Sequence, residues 1–333
     1  PMAYRSRSGR TRESSTHILG SAMTEVLYAI VVAPFKDMAG SPAFLIEVLI
    51  GGIFAGLMYS LVALGFVLIF KASGVFNFAQ GVMVLFAALT LVGLMERGVP
   101  VVVALVLTTA VMVALAFAIE RVVLRPLVNQ EHIILFMATI GLTFFLEGFG
   151  EMVWGANVKK LDVGIPDRSF MLRGVQINQL EMTAALTAAI LVTVLVFFQR
   201  TPIGRALRAV ADDHEAALSL GIPLKTIWVI VWSVAGIVAI VAGIMWGAKS
   251  GVQFSLSLIA LKALPVLILG GFTSVPGAIV GGLIIGVGEK LAEVYWGPLV
   301  GGAIENWFAY VLALAFLLFR PQGLFGERII ERV

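Results

Sequence analysis

The sequence predicts an all-α, polytopic membrane protein of about 8–10 transmembrane helices, with one further helix in a polar loop, and three observations carry that expectation. Apolar residues make up 60% of the 333 positions and charged residues only 13%, too little polar surface to cover a water-soluble chain of this size. Several apolar runs reach the roughly 20 residues that a helix rising 1.5 Å per residue needs to cross a bilayer core. The longest polar stretches, 1–22, 155–181 and 199–226, are each far shorter than the roughly 100 residues of an independent domain. The solvent for most of the chain is therefore the lipid bilayer.

The chain opens with Arg5, Arg7, Arg10 and Arg12 before a short apolar stretch from Val26 to Phe35, a pattern that resembles a signal peptide but reads better as an uncleaved cytoplasmic leader. We expect a partly disordered leader over 1–42, a single transmembrane domain over 43–326 and a tail over 327–333. Apolar runs bounded by charge, Pro or Gly place spans near 46–70, 78–95, 99–120, 133–154, 182–198, 227–248, 254–270, 277–294 and 304–319. The 254–270 run is short and carries Lys262, which suits a re-entrant segment as well as a full span. A stretch over 24–36 could add a tenth span.

With the C-terminus inside, Lys71, Arg121, Arg125, Arg200, Arg205, Arg208, Lys225, Arg320, Arg328 and Arg332 all fall on the cytoplasmic side. The net charge of +3 then needs no nucleic acid partner, because basic residues in such loops face headgroups. The absence of cysteine excludes disulfides, thiolate zinc sites and iron–sulfur clusters. His17, His132 and His214 are scattered, no metal-binding or paired-aspartate motif lies within a span, and no Gly-x-x-x-x-Gly-Lys-Ser/Thr run binds nucleotide. No cofactor is expected, and an intramembrane enzyme is disfavoured.

The loop over 200–225 has its own punctuation. Thr201-Pro202 opens it and Gly221-Ile222-Pro223 closes it, which puts an N-cap, a first-turn proline and a C-terminal glycine around a helix of about 18 residues. Ile203, Leu207, Val210, Ala211 and Leu218 form one side of it and Arg208 and Asp212 a more polar one. A helix resting on headgroups would read the same way.

Two charges deep in apolar runs form a further expectation. Lys262 and Glu289 lie thirteen to fourteen residues either side of a turn at Thr273-Ser274-Val275-Pro276, so an antiparallel hairpin brings them to one depth. A lone charge there costs roughly 2.5–3.5 kcal/mol, so we expect a structural ion pair. Glu147 and Glu151 share a face one turn apart, where they could meet a solute or pair with Lys159 or Lys160. Gly51, Gly52, Gly56, Gly65, Gly281, Gly282, Gly286 and Gly288 suit tight helix crossings. Trp228, Trp232, Trp246, Trp296 and Trp307 read as interfacial anchors, and Phe144, Phe145 and Phe149 as packing against lipid or the bundle.

Glu215-Ala216-Ala217-Leu218-Ser219-Leu220-Gly221 resembles the Glu-Ala-Ala loop through which permeases of ABC importers dock on their ATPases. Asn77-Phe78-Ala79-Gln80-Gly81, Glu120-Arg121-Val122 through Arg125-Pro126, Gly270-Gly271-Phe272-Thr273-Ser274-Val275-Pro276-Gly277-Ala278 and Arg320-Pro321-Gln322-Gly323-Leu324-Phe325-Gly326 follow in an order that resembles the branched-chain amino acid ABC permeases, from about residue 46 to 326. The resemblance implies a bacterial-type inner-membrane importer with two permease subunits, similar but distinct, two ATP-binding cassette ATPase subunits and an extracytoplasmic solute-binding protein. It implies coupling through Arg208, Asp212, Glu215, Ala216, Ala217 and Gly221, by alternating access. That family usually carries Asn-Phe-Ala-His-Gly-Glu where this chain has Gln80 and Val82, which leaves branched-chain amino acids, other amino acids and small amides open as solutes. Asn77 and Gln80 either satisfy the free backbone groups of a broken helix or join Glu147 in the translocation pathway. A secondary transporter or a passive channel for small polar solutes is the alternative class, and it would need no ATPase.

Overall fold

The computed structural model describes residues 25, 27–74, 76–127, 130–212, 217 and 219–326. Most of the expected leader and all of the tail over 327–333 lie outside the described residues. The chain forms α1 (Ala33–Gly40), α2 (Pro42–Ser73), α3 (Gln80–Glu96), α4 (Val101–Ile119) and α5 (His132–Trp154), then strands β1 (Ser169–Leu172) and β2 (Val175–Asn178). There follow α6 (Gln179–Phe198), α7 (Pro202–Asp212), α8 (Leu224–Ser250), α9 (Ile259–Gly270), α10 (Val275–Tyr295), α11 (Gly297–Val300) and α12 (Phe308–Phe319). Six helices are long and apolar enough to cross a membrane, and three shorter apolar ones cover Gln80–Glu96, Phe254–Gly270 and Phe308–Phe319. These nine coincide with the nine apolar runs of the sequence.

Local chemistry sets the ends. Pro42 opens α2, where a missing N–H costs nothing, and Gly74 closes it at φ 67°, a left-handed position that suits glycine. Asn178 caps α6 by accepting from the Glu181 N–H at 3.0 Å, and Ser274 caps α10 by accepting from the Gly277 N–H at 3.0 Å. At the end of α4 the chain widens into a π turn over Glu120–Leu124 and then tightens into a 3-10 turn over Arg125–Leu127. The π spacing of five residues sets the Arg125 fork against buried Glu120, with Nε to Oε1 and Nη2 to Oε2 both at 3.3 Å.

The centre of the bundle is the second half of α2, buried from Met58 to Ile69, with α3 and α8 packed around it. Small residues let α10 approach α2 at backbone range: a Cβ on Gly56 would lie 2.7 Å from the Gly282 carbonyl oxygen, and one on Gly52 would lie 2.7 Å from the Val287 Cα. Ser60 seals this crossing by donating to Gly56 O at 2.8 Å and approaching Ile279 O at 3.3 Å. Gly281 plays the same part against α9, whereas Gly51 faces open space and contributes nothing to packing. The outer helices turn apolar side chains outward, with Val102 and Phe144 each at least 70% exposed, as lipid contact requires.

Three expectations change. Trp228 and Trp232 are buried inside the bundle and are not interfacial, because Trp228 Nε1 reaches across to donate to Ala72 O at 3.2 Å. Among the described residues no tenth span forms over 27–36; that stretch packs on the far end of α10, where Trp296 Nε1 donates to Ile30 O at 2.9 Å and Phe35 meets Trp296 edge to face. The polar loop over 155–178 holds a β-hairpin that helical periodicity could not reveal, turned by Arg173 (φ 52°) and Gly174 (φ 84°). The hairpin marks one end of the bundle, and α7 marks the other.

The close crossing predicts unequal costs for similar changes. Gly282→Val should lower the thermal unfolding midpoint of the purified chain by the equivalent of about 1–3 kcal/mol, whereas Gly51→Ala should leave it unchanged. Equal midpoints for the two variants would contradict the packing described here.

Candidate functional site

Two regions gather several of the polar groups that the bundle buries. At the α7 end, the chain between α2 and α3 returns into the protein interior, and its free backbone groups are served locally. Asn77 Oδ1 accepts from the Ala79 N–H at 3.1 Å, while Thr139 Oγ1 on α5 accepts from the Phe78 N–H at 3.1 Å and donates to Phe136 O at 2.8 Å. Gln80 serves none of them. Its amide is fully buried in the space that Gly65 leaves by having no Cβ, and neither Oε1 nor Nε2 has a hydrogen-bond partner among the described residues.

Other motifs from the sequence meet at this same end. Phe76 stacks on Phe66 at 4.8 Å and touches Phe272 edge to face at 6.3 Å, so the loop after α9 closes over the break before α3. The segment ending at Gly326 docks there as well, with Leu324 N–H donating to Leu269 O at 2.8 Å and Phe325 N–H to Gly270 O at 3.2 Å. Gly271 and Gly323 are both left-handed, at φ 100° and 77°, and a Cβ on either would strike the other's segment.

The loop helix α7 lies alongside. Thr201 Oγ1 accepts from the Gly204 N–H at 3.2 Å, Gly221 stands at φ 78°, and the Ile222 N–H returns to Ala217 O at 3.0 Å. Leu207, Val210 and Ala217 are buried, Arg208 is half-buried, and Arg205 and Leu220 are exposed. Ile203, grouped with the apolar side on periodicity, is exposed because α7 rests on α2 and α8 through Leu207 and Val210. Glu215 and Ala216 lie outside the described residues, and so do His214, Leu218 and the side chain of Asp212.

At the hairpin end a polar cavity of about 820 Å³ opens between α2, α8, α9, α10 and the 3-10 turn over Ile304–Asn306. Lys262 on α9 meets Glu289 on α10 with Nζ to Oε1 at 2.7 Å, and Nζ also donates to Glu305 O at 3.2 Å. Glu289 is buried while Lys262 borders the cavity. A second pair on the cavity wall joins Lys249 Nζ to Glu181 Oε1 at 2.7 Å. Tyr59 and Trp246 stack at 5.7 Å to give the cavity an aromatic side. Glu293 braces the turn beneath it, accepting from the Ala303 N–H at 3.1 Å and the Glu305 N–H at 3.0 Å.

Of the residues marked in the sequence, the structure brings Lys262 and Glu289 together beside this cavity. Asn77, Gln80 and Glu147 do not line it. Glu147 is half-buried and makes no ion pair among the described residues; Lys159, considered as its partner, pairs with Glu96. Sequence alone does not mark Tyr59, Glu181, Trp246, Lys249, Lys290, Glu293 and Glu305 as site residues. Most of these lie near span ends, where a charge or ring is usually solvated and carries no signal of its own. Among the described residues no group of three His, Asp or Glu could hold a metal.

Comparison with known proteins adds the family context. Residues 48–320 match the family described as branched-chain amino acid transport system / permease component. The high-affinity branched-chain amino acid transport system permease protein BraD of Pseudomonas aeruginosa is 29% identical over 86% of this chain and 98% of its own length. LivH of Escherichia coli K12, with the same description, is 26% identical over 87% and 98%. More remotely, the fructose import permease protein FruG of Bifidobacterium longum is 23% identical over 74% of each chain. No solved structure matches the chain.

The buried pair yields a stability prediction. Lys262→Met leaves Glu289 without its ion-pair partner and should cost about 3–5 kcal/mol. Adding Glu289→Leu should recover most of that loss, since the remaining charge goes with it. Unfolding midpoints of the purified variants decide, and a double variant no better than Lys262→Met would argue against a pair held mainly by mutual compensation.

Proposed function

This chain belongs to the family of branched-chain amino acid transport system permease components, and from that premise we propose that it is the membrane subunit of an ATP-driven importer whose α7 loop is the handle for a separate ATPase. It lines a passage for branched-chain or related amino acids and performs no covalent chemistry. Its partners are two ATPase subunits, a second and similar permease, and an extracytoplasmic solute-binding protein. The α7 end faces the cytoplasm, with the C-terminus on that side, and the hairpin end faces outward in a bacterial-type inner membrane.

The observation that carries this reading is the build of the 200–225 loop. A handle must be rigid within itself and firmly joined to the spans that it moves. Thr201 caps α7, Gly221 turns the chain toward α8 at φ 78°, and Leu207 and Val210 fasten α7 to α2 and α8. Arg205 stays exposed and Arg208 partly so, available to another protein. The distribution of charge supports the orientation: Lys71, Arg121, Arg125, Arg200, Arg205, Arg208, Lys225 and Arg320 all belong to the α7 end. Closure of the ATPases would then rock α2 and α8 as units, in the rigid-body manner of alternating access.

Gly221→Pro tests the handle. Proline fixes φ near −65° where the native residue stands at 78°, so the link from α7 to α8 must rearrange while the spans keep their packing. In proteoliposomes holding the complete importer, uptake should fall about tenfold or more, the equivalent of roughly 1.4 kcal/mol, with ATP hydrolysis retained. Unchanged ATP-driven uptake would count against the assignment, and uptake by the chain alone without ATP would favour a secondary transporter or channel.

A further inference from the structure

We infer that the cavity at the hairpin end is a binding site, within this chain, for the zwitterionic end of an apolar amino acid, with Lys290 taking the carboxylate and Glu305 the ammonium. The inference rests on the transport reading above and deepens it, because it assigns recognition to the permease itself and separates amino acids from neutral amides.

Among the described residues, five charged side chains line the cavity: Glu181, Lys249, Lys262, Lys290 and Glu305. Lys249 is closed by Glu181 and Lys262 by Glu289, each at 2.7 Å. Two charges remain, Lys290 and Glu305, of opposite sign and on the wall of the same cavity. Neither forms an ion pair among the described residues, and they do not pair with each other. Opposite charges left open in a partly desolvated space invite a ligand that carries both signs, whereas urea or a primary amide would leave both uncompensated.

The backbone that carries Glu305 is fixed. Glu293 accepts both the Ala303 and Glu305 N–H groups, which holds a run of left-handed residues at Gly301, Gly302 and Ala303, with φ of 86°, 84° and 60°. Lys262 holds the Glu305 carbonyl from the other side at 3.2 Å. Glu293 is thus a positioning residue for Glu305, not a contact to the ligand.

The rest of the wall suits the other half of such a ligand. Met58, Leu256 and Ile259 join the stacked Tyr59 and Trp246 rings on the apolar side. Trp246 Nε1 is buried without an acceptor among the described residues, which leaves a donor free at this wall. About 820 Å³ is ample for one amino acid with several waters.

The chain has no cysteine, so Ser255→Cys, on the cavity wall, gives a single reporter for a thiol-reactive maleimide in the purified full-length chain. L-leucine at about four times its dissociation constant should slow labelling about fivefold, as simple occupancy requires. Isoamylamine, which lacks the carboxylate, and 4-methylpentanoate, which lacks the ammonium, should protect far less at the same concentration. Lys290→Gln in the reporter chain should abolish protection by L-leucine and Lys290→Arg should restore it, with Glu305→Gln and Glu305→Asp behaving likewise. The three-ligand comparison needs no second substitution, so it decides even where a charge variant fails to fold.

Equal protection by all three ligands, or none by L-leucine, would overturn the site. If the unsubstituted importer still accumulates L-leucine with ATP in that case, the transport reading stands without this site. An importer that hydrolyses ATP but moves no amino acid would overturn both.

Discussion

The crossing of α2 over α10 sets the geometry on which the rest of the molecule depends. In lipid there is little hydrophobic gain from bringing two apolar helices together, so association relies on close packing. Gly52, Gly56, Gly282 and Gly286 bring the two backbones so near that no side chain fits between them. That contact fixes the height of α10 against α2, and the α9–α10 turn, with Gly270 against Gly277, fixes α9 against α10. Lys262 and Glu289 come to one level as a result, beside a cavity that Tyr59 borders from α2.

The bilayer also dictates how polar groups are buried. Every interrupted helix needs partners for its free backbone groups, because no water is at hand to supply them. Asn77 and Thr139 provide them at the break before α3, and Ser274 does so at the start of α10. Gln80, at the same break, is not served in this way: its amide has no partner among the described residues and is stowed against Gly65. The cost of burying an unpaired amide, roughly 1–3 kcal/mol, is one that the packing around it must offset.

Much of this was legible before any coordinates. Long apolar runs locate the nine apolar helices because length and hydropathy are local properties of a span. Thr201 and Pro202 mark the start of the loop helix because caps are local chemistry too, whereas the expected run of about 18 residues to Gly221 passes through 213–216, outside the described residues. The meeting of Lys262 with Glu289 could be counted from the turn between them, since a hairpin of two helices pairs equal distances. What stayed hidden depends on which face of a helix turns inward. Trp228 and Trp232 sit near a span end and looked interfacial, yet α8 rotates them into the core. Lys290 and Glu305 are fifteen residues apart on separate elements, and only the fold places them on one cavity wall. Thr139 supports a break more than sixty residues away in sequence, which no local pattern announces.

The two ends of the bundle therefore carry different work: a mixed-charge cavity at one, and at the other a braced loop helix beside three converging loops. The central claim is that the loop helix is gripped by an ATPase. The most direct measurement places a single cysteine at Arg205 in the cysteine-free chain, with a control at the exposed Met171 of the hairpin, and cross-links each to the copurified ATPase subunit. The account requires a product from position 205 and none from 171; a product from 171, or none from 205 in an importer active for ATP-driven uptake, would contradict it.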